Sequence, residues 1–269
     1  MQPLPDWAPD TIDVEQPSAA RIYDYLLGGS HNFAADREVA RQAIAAMPDV
    51  PVQANANRAF PRRAVQYLVE AGVRQFLDIG SGIPTLGNVH EVARQGTPDA
   101  RVVYVDLDPV AVAHGRAILA DDERATVIRE DLRHPGRIFG HPDVRAVLDL
   151  GRPVAVLLVA ILHVIPDHDD PHRIVSTLRD ALAPGSWLAI AHGTDESRPA
   201  EVEELRRLSE KTTTPMTLRG RADVAGFFAG WELVEPGLVW APQWQPDSPD
   251  DVGEHPELSG NLVGVGRKS

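Results

Sequence analysis

From residue 74 onward the chain alternates short β-branched runs with helical segments: QFLDIG, a helical stretch over 85–95, RVVYVDLD, another over 110–119, then ATVIREDL. Strands and helices alternating at this spacing pack as a parallel sheet with right-handed crossovers, because each connection must run back over a face of the sheet. The pattern continues through an apolar strand at 154–160, a helix at 171–182, a Pro184-Gly185 turn and a strand at 187–191. Beyond Thr194, AEVEELRRLSE and residues 221–228 read as helices, and WELVEPGLVWAPQW and NLVGVGRKS as closing strands. The Pro-, Asp- and Ser-rich stretch 245–256 between them reads as a surface loop.

The first quarter is helical. Residues 1–16 form a polar arm; Pro17-Ser18 then opens AARIYDYLL, which Gly28-Gly29 closes in the manner of a helix C-cap. Apolar residues recur at helical spacing over 33–47, up to Pro48, and again over 52–71. Pro61 interrupts the latter and is expected to begin a new helix or to kink the existing one.

A chain of 269 residues can bury the core of one large α/β domain. With a net charge of -13 and only two lysines, Lys211 and Lys268, no stretch offers a dense basic face, so nucleic acid is not expected as a partner. There are no cysteines, which removes disulfides, thiolate metal sites and cysteine nucleophiles. The opening MQPLPDWAPDTIDVEQP lacks the basic start and apolar stretch of a secretory signal, and the most apolar run, 154–165, falls short of the roughly 20 residues that span a bilayer. A cytoplasmic protein with no membrane partner is expected.

The sharpest local signal is FLDIGSGIP, where a buried strand delivers Asp78 and then Gly80, Ser81 and Gly82 into what reads as the start of a helix, with Pro84 in its first turn. Small residues let backbone approach a ligand, and a helix N-terminus offers free N–H groups. Two ligands compete for such a turn. A dinucleotide needs the third glycine of G-x-G-x-x-G for its pyrophosphate, whereas S-adenosylmethionine carries no phosphate and tolerates another residue, here Thr85. Asp78 also suits the sulfonium cofactor, whose methionine amino group is cationic.

The next strand ends in Asp106, at the spacing of a carboxylate that accepts from ribose hydroxyls, with Leu107 and Asp108 beside it. The third ends at Asp131 and Leu132, where a carboxylate can accept from an adenine amino group. The fourth ends at Ala160, followed by His163, which is either a general base for the transfer or a histidine packed at a strand end. His168, Asp169, Asp170 and His172 read as a solvated turn and helix start in preference to a metal site.

The segments ARIYDYLLGGSHNFAADRE, ANRAF, QFLDIGSGIPTLGNVHEVA, VVYVDLDP and LVEPGLV together resemble the actinobacterial S-adenosyl methyltransferase family formerly known only as a domain of unknown function. The resemblance runs from about Ile12 to Arg267, and its most specific piece is YDYLLGG followed by Asn32, Phe33 and Asp36. It implies a Rossmann-like class I methyltransferase fold, with a mainly parallel seven-stranded sheet, helices on both faces and an N-terminal helical lid. On that view residues 1–72 are arm and lid, and 73–269 the catalytic domain. The implied cofactor is S-adenosyl-L-methionine, held by the glycine turn, Asp106 and Asp131. Tyr23, Asn32 and Arg58 would either reach cofactor or acceptor, Arg58 by pairing with the methionine carboxylate, or stitch the helices together. Pro61 departs from the aliphatic residue expected in relatives. The function so implied is methyl transfer to a small molecule; a non-catalytic sensor of the cofactor, or an NAD-dependent oxidoreductase, are the alternatives.

Overall fold

The computed structural model describes Ala8 and residues 12–84 and 87–269. Three helices come first, α1 (Ala19–Leu26), α2 (Ala34–Ala46) and α3 (Val50–Glu70). The alternating body follows as β1 (Gln75–Ile79), α4 (Val89–Gly96), β2 (Arg101–Asp106), α5 (Pro109–Ile118) and β3 (Ala125–Arg129). Two short helices, α6 (Pro135–Gly140) and α7 (Pro142–Val147), lead to β4 (Ala155–Val159), α8 (Pro171–Ala181) and β5 (Trp187–Gly193). The chain closes with α9 (Pro199–Ser209), α10 (Arg221–Gly226), β6 (Glu232–Leu233), β7 (Val239–Trp240) and β8 (Asn261–Arg267).

The strands form one sheet in the order β3-β2-β1-β4-β5-β8-β6. β1 to β5 are mutually parallel, and β8 enters antiparallel to β5. The outermost position is shared: β6 pairs with one end of β8 and β7 with the other. Seven sheet positions are thus filled by eight strands, because Pro236-Gly237 breaks a run that reads as continuous. The parallel strands alternate their side chains between two apolar layers, as the pleat requires. Leu77, Val103, Val156 and Leu188 face the side covered by α6, α7, α8 and α10, whereas Phe76, Val102, Leu157 and Ala189 face the side covered by α3, α4 and α5.

Two expectations change. The helix after the glycine turn does not start there: Pro84 precedes it, and α4 begins only at Val89, capped by Asn88 and the back-reaching Glu91 carboxylate. Thr85 itself lies outside the described residues. Pro61, in turn, does not begin a new helix: of the two expected outcomes, the one left is a proline within a continuous helix, since α3 runs from Val50 to Glu70 through it. Packing overrides the local penalty. Phe60, Ala64, Val65 and Leu68 are buried on the sheet face, and Arg63 donates to the carbonyls of Ala241 and Trp244 at 2.7 and 2.9 Å. Replacing the fully buried Phe60 with alanine should therefore cost about 3–5 kcal/mol of unfolding free energy in urea titration.

Candidate active site

A cavity of about 1040 Å³ lies beyond the C-terminal ends of the parallel strands, closed on its far side by α1, α2, α3, α9 and the segment 212–218. This is the position where open α/β sheets bind ligands, and its volume is at the upper end for a small-molecule site. Tyr23, Arg58, Asp78, Gly80, Ser81, Gly82, Asp106, Leu107, Asp131, Leu132, Ala160 and His163 all line it. Asn32 does not. Its side chain is buried and donates to Asp24 and to the Gly29 carbonyl, joining the end of α1 to the turn before α2.

The glycine turn has two separate reasons for its composition. Gly80 and Gly82 adopt φ of +76° and +68°, where a side chain is strained. A Cβ on Gly80 would also come within 2.7 Å of Ile161. Ile161 is driven against the turn because Ala160, at the end of β4, takes a left-handed φ of 56° while its N–H still donates to Ala191 across the sheet. A non-glycine residue in that region is uncommon, and here it sits on the cavity wall.

Asp106 is the best-oriented group of the site. Its Oδ2 accepts from the Gly82 N–H at 2.7 Å and its Oδ1 from the Asp108 N–H at 2.8 Å, so one carboxylate ties the glycine turn to the turn after β2. Each oxygen keeps a further acceptor site. Burial pushes this carboxyl up to about 6, against the lowering effect of the backbone donors of Asp108, Gly82 and Leu107. Leu107, next in the chain, leaves 47% of its surface open, which is unusual for leucine and gives the cavity an apolar lip.

Asp78, on β1, is half-buried and accepts no hydrogen bond from a described residue. Burial raises it to about 7, while the charge of Arg58 acts in the opposite direction and Asp106 in the same one. An acid in this state would gain most from a cation arriving in the cavity. Asp131 is already engaged: Arg133 clasps it from two residues away, with contacts of 2.6 to 3.0 Å. Burial raises the Asp131 carboxyl, but the bonds from Arg133 outweigh it and hold the group below its ordinary value.

His163 sits in a short turn after β4, and its Nδ1 accepts from the Gly193 N–H at 3.3 Å. Burial, then the charge of Arg219, pushes its pKa down to about 4. Arg219 is itself buried, bonded to the carbonyls of Leu162 and Ile165 at 3.0 and 2.8 Å, and so fixes the turn that carries the histidine. Two of the acidic and histidine residues further on have structural roles. Asp170 caps α8 by accepting from the Arg173 N–H at 3.1 Å, and His172 stacks on Phe227. No group of three or more metal-ligating side chains occurs among the described residues.

The sequence reading missed a latch at the cavity rim. Arg21 of α1 is 4% exposed and bonds Asp36 at 2.9 Å and Asp108 at 3.0 Å, while Ser18 Oγ donates to the same Asp108 oxygen at 2.5 Å. Asp108 also caps α5 through the Val110 N–H. Tyr23 donates to the Ala54 carbonyl at 2.9 Å and accepts from Asn57 at 2.8 Å, and burial raises its hydroxyl pKa.

The sequence pattern of a family described as S-adenosyl methyltransferase matches residues 5–269. The chain belongs to that family. A DUF574 family protein from Streptomyces avermitilis is 42% identical, with a TM-score of 0.92 over 96% of this chain and 99% of its own. A candidate methyltransferase from Thermobifida fusca is 43% identical, with a TM-score of 0.92 over 98% and 100%. An O-methyltransferase family protein from Burkholderia thailandensis, 16% identical, shares the fold at a TM-score of 0.54 over 95% of this chain and 65% of its own. Comparison with proteins of curated function gives no match. This chain is an S-adenosylmethionine-dependent methyltransferase of class I fold. Among its described residues no helix is long and apolar enough to cross a membrane.

The cavity of this methyltransferase fits its cofactor. Asp78 offers a carboxyl to a cationic amino group, Asp106 has oriented oxygens for a diol, and Leu107 presents an apolar face. Such a fit carries a stability cost that can be measured. Because Asp78 titrates near 7 in the folded protein and near 3.8 when unfolded, its contribution is whole below pH 3.8 and is lost as pH rises through 7. Asp78→Asn should therefore raise the melting temperature of the ligand-free protein at pH 8 and leave it unchanged at pH 3.5, as differential scanning calorimetry would read.

Proposed function

We propose that this methyltransferase acts on a small-molecule acceptor bound beside the cofactor in the cavity. The oriented Asp106 carboxylate carries the reading of the cofactor end, since both its oxygens are aimed by backbone donors before any ligand arrives. Asp106 accepts from the ribose hydroxyls, Leu107 lies against the adenine, and the segment at Asp131 and Leu132 borders the far side of the ring. Asp78 takes the methionine amino group and Arg58 its carboxylate. Gly80, Ser81, Gly82 and Ala160 bring backbone against the ligand, and Tyr23 closes over it.

When bound, the cofactor supplies an electrophilic methyl group on a sulfonium. The protein's part is alignment and exclusion of water. In this reading α1 and α2, within the arm and lid of residues 1–72, cover a catalytic domain of 73–269, and the Arg21 ion pairs hold the cover down. His163 faces the acceptor. With a net charge of -13 the chain is unsuited to nucleic acid, and we assign it to the cytoplasm.

Calorimetric titration with S-adenosylmethionine and with S-adenosylhomocysteine tests the cofactor end. Micromolar binding of both is expected, lost in Asp106→Ala. Affinity should fall as pH drops below about 7, because protonated Asp78 no longer attracts the amino group. Binding of NAD with no response to either sulfur compound would overturn the reading.

A further inference from the structure

Away from the carboxylates, the cavity runs between α1, α2 and α9 and under the segment 212–218. Leu26, Val39, Val202, Leu205, Met216 and Leu218 face it, so much of its wall is hydrocarbon, with Thr214 Oγ1 left without a hydrogen-bond partner among the described residues. The charged groups on this side neutralise one another: Arg198 bonds Asp49 at 2.9 Å and lies 3.5 Å from Glu201. Two of the hydroxyls are spent on backbone. Ser209 Oγ donates to the Arg206 carbonyl and accepts from Met216, and Thr212 Oγ1 donates to the Ser209 carbonyl and accepts from Thr214. A charged ligand placed here would give up its water and receive no counter-ion.

His163 also lines this cavity, and the sheet decides which of its nitrogens is left to donate. β5 runs two residues beyond the last paired residue of β4, Val159, which lies opposite Ala191. The Gly193 N–H therefore has no strand carbonyl on that side and turns to His163 Nδ1 instead. A proton on Nδ1 would face that N–H head-on, so the ring keeps Nδ1 as acceptor and carries its hydrogen on Nε2. His192 of β5 lies edge-on at 5.7 Å between centroids and the Arg219 cation acts on the ring; among the described residues no carboxylate is bonded to it. Burial, and then the Arg219 cation, oppose a positive ring, in keeping with its low pKa of about 4.

We propose that this chamber takes an uncharged, largely apolar acceptor bearing a hydrogen-bond-accepting atom, and that His163 meets that atom as an Nε2–H donor instead of acting as a base. The proposal rests on the methyltransferase reading of the cavity and names the chemistry of its second occupant. A carbonyl or a ring nitrogen fits it. A carboxylate or an ammonium does not.

Three probes of one shape separate the possibilities, each titrated by ligand-observed NMR into protein saturated with S-adenosylhomocysteine: 2-acetylnaphthalene, 2-ethylnaphthalene and 2-naphthoate. The acetyl compound should bind about two- to tenfold more tightly than the ethyl one, the worth of one neutral hydrogen bond, and naphthoate should bind most weakly. His163→Phe should erase the acetyl preference and His163→Gln, which keeps a donor, should restore it in part. Nitrogen-15 shifts of the wild-type protein should show His163 as the Nε2–H tautomer with no titration between pH 5.5 and 8.5. Tightest binding of naphthoate, binding of none of the three, an acetyl preference that survives His163→Phe, or a His163 midpoint near 6.5 would each overturn the proposal. Retained affinity for S-adenosylhomocysteine in every variant shows that the protein is folded; its absence from the wild type would instead strike the underlying reading.

Discussion

The two backbone bonds accepted by Asp106 are the contact from which the site is organised. One oxygen holds Gly82 and the other holds Asp108, so the glycine turn after β1 and the turn after β2 are positioned relative to each other by a single side chain. The effect propagates outward. Asp108, once placed, starts α5 and receives Arg21 and Ser18, and Arg21 in turn fixes Asp36 at the head of α2. A cavity-lining acid thus lies two residues from the anchor of the N-terminal helices. The cavity and those helices share one loop.

Holding acids in a buried site works against the fold, and the chain tolerates it because the elements around the cavity are over-determined. α3 contributes to both. Phe60, Ala64 and Leu68 belong to the sheet core, while Ala54, Asn57 and Arg58, earlier on the same helix, line the cavity. The floor of the cavity cannot shift without disturbing the core, whereas α1 and α2 join the site through the Arg21 ion pairs and a small apolar cluster of Phe33 with Ile83, Val110 and Ala111. Such a division between a wall built into the core and separately fastened N-terminal helices suits a reaction whose demand is alignment.

Much of this was legible in the sequence, for a topological reason. In a parallel sheet every strand delivers its C-terminal residue to the same edge, so Asp78, Asp106, Asp131 and Ala160 could be assigned to one locus without knowledge of any contact. Features set by tertiary contact were not legible. The split between β6 and β7 hides within WELVEPGLVW, and α6 and α7 are too short to show a period. The start of α4 was misplaced because Pro84 suits both a loop and a first helical turn. The clasp of Arg133 on Asp131 and the bond from Gly193 to His163 depend on where loops lie in space. For His163 that difference matters, since residue type alone suggests a base and the sheet register supplies a donor.

The Arg21 latch also bears on how such a chain can drift. A guanidinium that is almost wholly buried between two carboxylates from different segments cannot lose either partner singly without stranding a charge in the interior. Asp36 carries a further load, since it accepts the Ser18 and Phe33 N–H groups that start the first two helices. Arg21, Asp36 and Asp108 can change only in concert, however freely the acceptor chamber is remodelled. The N-terminal stretch that most distinguishes this lineage is thus a record of how the chain is fastened shut, and two descendants could keep it intact while methylating unrelated molecules.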